Sequence, residues 1–306
     1  MTMTTPPVTP RQRDDHFFLA AQRWLARNDV RLVLLTCHGE VGAPLGTKRQ
    51  PAVEVPGCVR DLPLHRFVDL SLAGVRDVAL TPCSCCTPED LATVVEQWRA
   101  ALGTLLRFVI TETTPVRAWS WSLSPTRVPV ERRGLLGLRT AEQAWPTHAP
   151  EADDHARLLT SLRAAGVTSL AQQAPGVALL ASGCTACGVC VAACPHDALT
   201  LTLAGDQTSL LQAPDACRGE QQCVALCPVT ALSVSGPLPW SDVLEAAPRV
   251  LATLSMAVCQ RCQARFPADS GSTWCEPCRL RRNDPFGSHL PPAAIALLRA
   301  RGHESR

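Results

Sequence analysis

Sixteen cysteines in 306 residues fall into three groups: five between Cys37 and Cys86, seven between Cys184 and Cys227, and four between Cys259 and Cys278. The sharpest spacing lies in the middle group, where CTACGVCVAACP places Cys184, Cys187, Cys190 and Cys194 ahead of Pro195. Three thiolates separated by two residues each wrap a short loop around one cubane whose sulfides face the loop's N–H groups. The fourth, displaced by three residues and a proline, must reach elsewhere. A second run, CRGEQQCVALCP, aligns Cys227-Pro228 with Cys194-Pro195, which sets Cys223 against Cys190, Cys217 against Cys184 and Glu220 against Cys187. Each run precedes an apolar tail, PHDALTLTL and PVTALSVSG, so the region reads as an internal repeat with two strands of a pseudo-twofold fold.

These residues, over 174–236, resemble the bacterial dicluster ferredoxins. The resemblance implies one 4Fe-4S cluster on Cys184, Cys187, Cys190 and Cys227, and a second cluster on Cys194, Cys217 and Cys223. The second departs from the family pattern at Glu220. A carboxylate is a harder ligand than a thiolate, so this centre is expected as a 4Fe-4S cluster with oxygen or water at one iron, as a 3Fe-4S cluster, or as a decayed site. His196, after Cys194-Pro195, reads as a solvated loop residue or as a hydrogen-bonding neighbour that tunes the cluster.

The four C-terminal cysteines form two knuckles, CQRC (Cys259, Cys262) and CEPC (Cys275, Cys278), twelve residues apart, which suits one tetrahedral ion. Zinc is expected ahead of a rubredoxin-type iron. The following Arg279, Arg281 and Arg282 read as a solvated basic helix face or a phosphate contact.

The elements that must position the first group alternate in type. Asp14 to Asn28 has helical periodicity, RLVLLTC reads as a buried strand, and AVEVPG is a second strand ending at Cys58. A helix over LHRFVDLSLAG closed by Gly74, a strand VRDVALTPC, a helix from Pro88 to Gly103 and a strand LRFVIT follow. This alternation predicts an α/β domain over 14–112 with a small parallel sheet. Cys37, Cys58 and Cys83 fall at or just beyond strand C-terminal ends, the edge where open α/β sheets bind ligands.

The order of TCHG, PGC and GVRDVALTPCSCC, over 32–111, resembles the hydrogenase iron-sulfur delta subunit, the small protein linking a methyl-viologen-reducing hydrogenase to heterodisulfide reductase. The resemblance implies a 2Fe-2S cluster on Cys37, Cys58, Cys83 and either Cys85 or Cys86, with Cys86 taken as the fourth ligand. Thiolate preference alone also allows zinc, with His38 as a ligand, or redox or buried structural thiols.

Residues 113–173 lose periodicity, are rich in Pro, Arg, Trp and Thr, and read as a linker followed by the helix EADDHARLLTSLRAAG near Gly166. ERRGLLGL, at 131–138, has a twin-arginine appearance but lies far inside the chain. Residues 237–306 read as a helix plus a zinc-ribbon-like unit. The predicted architecture is therefore an α/β domain, an α+β ferredoxin-like dicluster module and a small ribbon.

A formal net charge of +2 gives no global field for nucleic acid or an anionic membrane. No apolar stretch approaches the ~20 residues that cross a bilayer, and the first residues carry no apolar export segment, so the cytoplasm is expected. There thiols stay reduced, and metal ligation explains the cysteines better than disulfides. With no G-x-G-x-x-G opening a βα unit, no P-loop and no nucleophile triad, neither flavin nor nicotinamide is expected within the chain. The function expected is an electron-transfer subunit between redox protein partners: hydrogenase, heterodisulfide-reductase-like or flavoprotein subunits. The alternatives are a redox-sensing zinc-ribbon regulator binding nucleic acid, and a self-contained enzyme using an open iron near Glu220.

Overall fold

The computed structural model describes residues 9–37, 47, 49–111, 122–126, 128, 145–268 and 271–283. His38 and the 131–138 string lie outside these residues. The chain divides into two compact units: Met1–Val177 with Pro214–Gly219 and Pro237–Ala247, and the remainder.

In the first unit, helix α1 spans Pro10–Arg27 and begins four residues before the expected Asp14. The cause is a capping box: the Thr9 hydroxyl accepts from the Gln12 N–H, the Gln12 side-chain oxygen accepts from the Thr9 N–H, and Pro10 occupies the first turn. Strands β1 (Leu32–Cys37), β2 (Ala52–Val55), β3 (Asp77–Leu80) and β4 (Arg107–Ile110) alternate with helices α2 (Leu64–Leu72) and α3 (Pro88–Leu102). All adjacent strands run parallel, in the order β4-β3-β1-β2-β5. The central β1 is a continuous apolar run because both faces are covered. Edge strand β5 is Ser122–Leu123, inside the segment read as a linker. Two residues carry no periodicity, so only pairing with Ala52 and Val53 reveals it.

The core gathers around Phe67, whose ring lies 4.5 Å from Trp98 and 5.2 Å from Phe108. Helix α4 (Asp154–Ala164), capped by Asp153, brings Arg157 inside at 1% exposure. Its guanidinium donates to both Asp15 oxygens at 2.8 and 2.9 Å and to the Ala152 and Ala149 carbonyls. Arg66 donates to the same carboxylate. Burial alone would raise the Asp15 pKa, but these two guanidiniums outweigh it and hold the group below its usual range. Helix α7 (Trp240–Glu245) closes this unit, with the Leu244 carbonyl accepting from Arg163 at 2.7 Å; α5 (Val189–Ala193) and α6 (Gln222–Ala225) belong to the second unit.

The second unit carries strand β6 (Val177–Ala181), helix α5 (Val189–Ala193), strands β7 (Leu199–Ala204) and β8 (Gln207–Gln212), helix α6 (Gln222–Ala225), strands β9 (Leu232–Pro237), β10 (Arg249–Val258) and β11 (Arg265–Pro267), and helix α8 (Glu276–Asn283). Strand β6 pairs with β9, and β11-β10-β8-β7 form an antiparallel sheet. The β7–β8 hairpin turns on Gly205 and Asp206, with Gly205 at φ +62°, a value that two-residue hairpins demand. The two apolar tails of the repeat are strands as expected, but β7 and β9 belong to different sheets. Strand β10 is a ten-residue element the sequence reading left out. It joins residues read as ribbon to those read as ferredoxin module within one sheet.

Replacing Asp15 by asparagine leaves the buried Arg157 charge uncompensated, a loss of about 3–5 kcal/mol. A fall in the thermal midpoint, followed by circular dichroism, is the expected outcome. Because the folded Asp15 pKa is depressed, the pair's contribution is complete above the unfolded value near ~3.9 and drains as pH falls through the folded one. The variant should lose that part of the acid dependence.

Candidate iron-sulfur and metal centres

The 184–190 loop is built on left-handed backbone at Ala186 (φ +53°) and Gly188 (φ +78°), which reverses the chain twice within one turn. It leads into α5, and the resulting cavity is lined by Cys184, Cys187, Cys190 and Cys227, with apolar walls from Leu201, Leu210 and Leu232. Backbone N–H groups point at sulfur: Ala186 at Cys184 (3.4 Å) and Ala231 at Cys227 (3.2 Å). Burial pushes the Cys190 thiol up to about 11. At Cys227 burial also opposes ionisation, but the N–H groups of Ala231, Val229, Leu232 and Thr230 prevail and lower its pKa. Four thiols around an apolar hollow, with N–H donors on the sulfurs, fit an iron-sulfur cluster.

The backbone also carries the repeat. Positive φ recurs at a spacing of 33 residues: Ala186 and Gly219 (+53°, +79°), Gly188 and Gln221 (+78°, +60°), Asp197 and Thr230 (+52°, +49°). Gly188 and Gln221 each precede a short helix, and Cys194 and Cys227 each accept from the N–H four residues on, at 3.3 and 3.2 Å. The same register sets Glu220 against Cys187. Gln221 occupies a left-handed position that glycine fills in the first half, a strain of order 1 kcal/mol held by the surrounding turn. Glu220 is hydrogen-bonded to His196, with Oε1 and Nε2 3.0 Å apart. His196 is therefore not simply solvated, at 31% side-chain exposure. Cys194 and Cys223 lie in the second unit, and Cys217 lies in the Pro214–Gly219 segment of the first.

At the C-terminal edge of the parallel sheet, Cys37 ends β1, Cys58 precedes a 3-10 turn (Val59–Asp61), and Cys83, Cys85 and Cys86 follow β3. Sulfurs of Cys37 and Cys58 are 3.9 Å apart, Cys58 and Cys83 3.8 Å, Cys83 and Cys85 2.8 Å, Cys83 and Cys86 3.2 Å. The compact set, all within 4.8 Å, is Cys37, Cys58, Cys83 and Cys85. Cys86, the expected fourth member, is buried, and its N–H donates to the Cys83 carbonyl. Crowding works on the thiols in opposite directions. Burial raises Cys37 and lifts Cys86 to about 12, whereas Cys83 falls to about 6 because bonds from Cys85, Cys86 and Cys37 outweigh its burial.

The knuckle sulfurs of Cys259, Cys262, Cys275 and Cys278 also lie within 4.8 Å of one another. The first knuckle turns between β10 and β11 through Gln263 at φ +63°, and the second opens α8. The Cys262–Cys275 separation of 3.6 Å is close to the edge of about 3.8 Å that a tetrahedron with ~2.3 Å zinc-sulfur bonds requires. Phe266 packs in the knuckle core with Trp274 against it, and the Arg282 guanidinium sits 4.9 Å over the Trp274 ring.

Residues 183–231 match the family model of the 4Fe-4S dicluster domain. A ferredoxin of Pyrobaculum islandicum (strain DSM 4184 / JCM 9189 / GEO3) is 44% identical over 50 residues, or 16% of this chain and 44% of the relative. The chain thus spans less than half the length of the curated relative it matches. The middle of the chain is a ferredoxin-type iron-sulfur domain. No helix among the described residues is long and apolar enough to cross a membrane.

Cys187 and Cys227 line one cavity although 40 residues separate them. Cys187→Ser and Cys227→Ser are expected to lower iron and acid-labile sulfide by the same amount; a loss at Cys187 alone would detach Cys227 from the centre.

Proposed function

We propose that the protein relays electrons between redox partner proteins through clusters held in one chain, in the manner of a hydrogenase, heterodisulfide-reductase or flavoprotein complex subunit. The observation that carries this reading is the single cavity bounded by Cys184, Cys187, Cys190 and Cys227 inside a matched dicluster domain. These four are assigned to one 4Fe-4S cluster. Cys194, Cys217 and Cys223 are assigned to the second, with Glu220 at the fourth position. The sequence repeat and its 33-residue backbone register support that assignment. The nuclearity of the second centre, 4Fe-4S or 3Fe-4S, depends on whether the Glu220 carboxylate holds iron or stays with His196.

Cys37, Cys58, Cys83 and Cys85 are assigned to a 2Fe-2S cluster, Cys85 replacing Cys86 because its sulfur completes the compact set. Cys259, Cys262, Cys275 and Cys278 are assigned to zinc. Iron-sulfur clusters supply one-electron transfer at potentials set by ligation, hydrogen bonds to sulfur and solvent exposure. The chain's own part is to hold the sulfurs, aim N–H groups at them and wall the first centre with leucine. The cytoplasm suits a reading in which every cysteine is a metal ligand or a free thiol. The nucleic-acid alternative draws no support from Arg282, which rests on Trp274.

Anaerobically purified protein should contain about nine or ten iron atoms per chain, from one cubane, a second centre of three or four irons and one two-iron centre. It should pass electrons from dithionite to a flavoprotein or cytochrome acceptor. A folded anaerobic sample with iron near zero would end this reading. Glu220→Cys is expected to convert the EPR of the second centre to that of an ordinary cubane and leave the first unchanged; an unaltered spectrum would remove Glu220 from the ligand set. Cys262→Ser is expected to release one zinc per chain with iron content intact, as read by elemental analysis.

A further inference from the structure

Away from the cysteines, helix α2 places His65 and Asp69 four residues apart on one face. His148, from the segment leading into α4, meets them there, and donor atoms of all three lie within 4.8 Å of one another. The group is deeply buried: His65 is 1% exposed, and the side chains of His148 and Asp69 are 6% and 2% exposed. Neither ring nitrogen of His65 has a hydrogen-bond partner among the described residues, and Nδ1 of His148 is likewise unpaired. Burying such groups unsatisfied is unfavourable, so a ligand that uses them would recover that penalty.

We propose that His65, Asp69 and His148 form a binding site for a divalent transition metal of the zinc class. The separation between His148 Nε2 and Asp69 Oδ2 is 3.4 Å. A charge-assisted hydrogen bond would close to about 2.7–2.9 Å. The edge of a tetrahedron around zinc, with ~2.0–2.1 Å bonds to nitrogen and oxygen, is about 3.4 Å. The other Asp69 oxygen accepts from the Ser161 hydroxyl of α4 at 2.6 Å, which orients the carboxylate as outer partners of metal ligands do.

The two guanidiniums nearest His65 set up a positive field that an entering cation must offset. The Arg66 and Arg157 guanidiniums both turn onto Asp15, and Asp69 adds a second negative charge, so these four groups sum to zero before an ion enters. A cavity of about 180 Å³ reaches one of the three ligands, His65, with Arg66, Asp14 and Cys58 also in its wall; Asp69 and His148 lie behind it and do not line it. Three protein ligands leave one coordination position open, the pattern of zinc sites that bind a further small ligand. The site is independent of the cluster assignments above.

The test uses full-length protein incubated with Zn2+ and desalted, examined by elemental analysis and X-ray absorption at the zinc edge. Wild-type protein should show a nitrogen and oxygen shell at about 2.0–2.2 Å besides the sulfur shell near ~2.3 Å of the knuckles. His65→Gln and His148→Gln should each lose that shell and one zinc per chain, with iron content and circular dichroism reporting that the fold is kept. His148 lies outside any helix, so its variant serves if the helical one misfolds. An all-sulfur zinc spectrum in the wild type overturns the proposal without reference to any variant. So does a nitrogen and oxygen shell that survives both substitutions.

Discussion

Gathering ionisable sulfur at close range is the constraint on which the rest of this protein depends. Thiolates a few ångströms apart repel, and burial disfavours each further charge. The N-terminal group illustrates it: Cys83 is lowered by bonds from its neighbours while burial and those same contacts raise Cys37, Cys85 and Cys86. Every device around the sulfurs relieves that cost. Left-handed residues bend the 184–190 loop until its N–H groups face inward, Val59 and Ala231 donate directly to sulfur, and the sheet edge supplies three loops that converge.

The same constraint gives Glu220 its interest. A carboxylate carries its charge outright where a thiolate would share it with iron, and here it has a partner in His196. The surrounding backbone nonetheless repeats the conformation of the 184–190 loop, down to Gln221 in a glycine-like conformation. The residue type differs at this corner while the backbone conformation recurs.

In the α/β unit the burial of charge follows a different pattern. Asp15 accepts from both Arg157 and Arg66 and so ties α1, α2 and α4 together. Beside them, both ring nitrogens of His65 and Nδ1 of His148 are buried with no hydrogen-bond partner among the described residues.

Much of this was legible in the sequence. The parallel α/β alternation, the repeated cysteine runs, the mismatch at Glu220 and the paired knuckles follow from spacing, because each ligand set is mostly local and each helix or strand has enough residues for a period. Cys227, the distant member of the first cavity, was reached only through resemblance. Other features had no local signal. Strand β5 is too short for a period, and β10 gains its identity from pairing with β8. The choice between Cys85 and Cys86 depended on which way a crowded turn faces its side chains, and the meeting of His148 with His65 and Asp69 depended on α4 packing against α2. The sequence by itself determined the ligand types and their local loops, since those depend on covalent spacing; tertiary structure alone decided which distant side chains share a site, since that depends on packing between elements far apart in the chain.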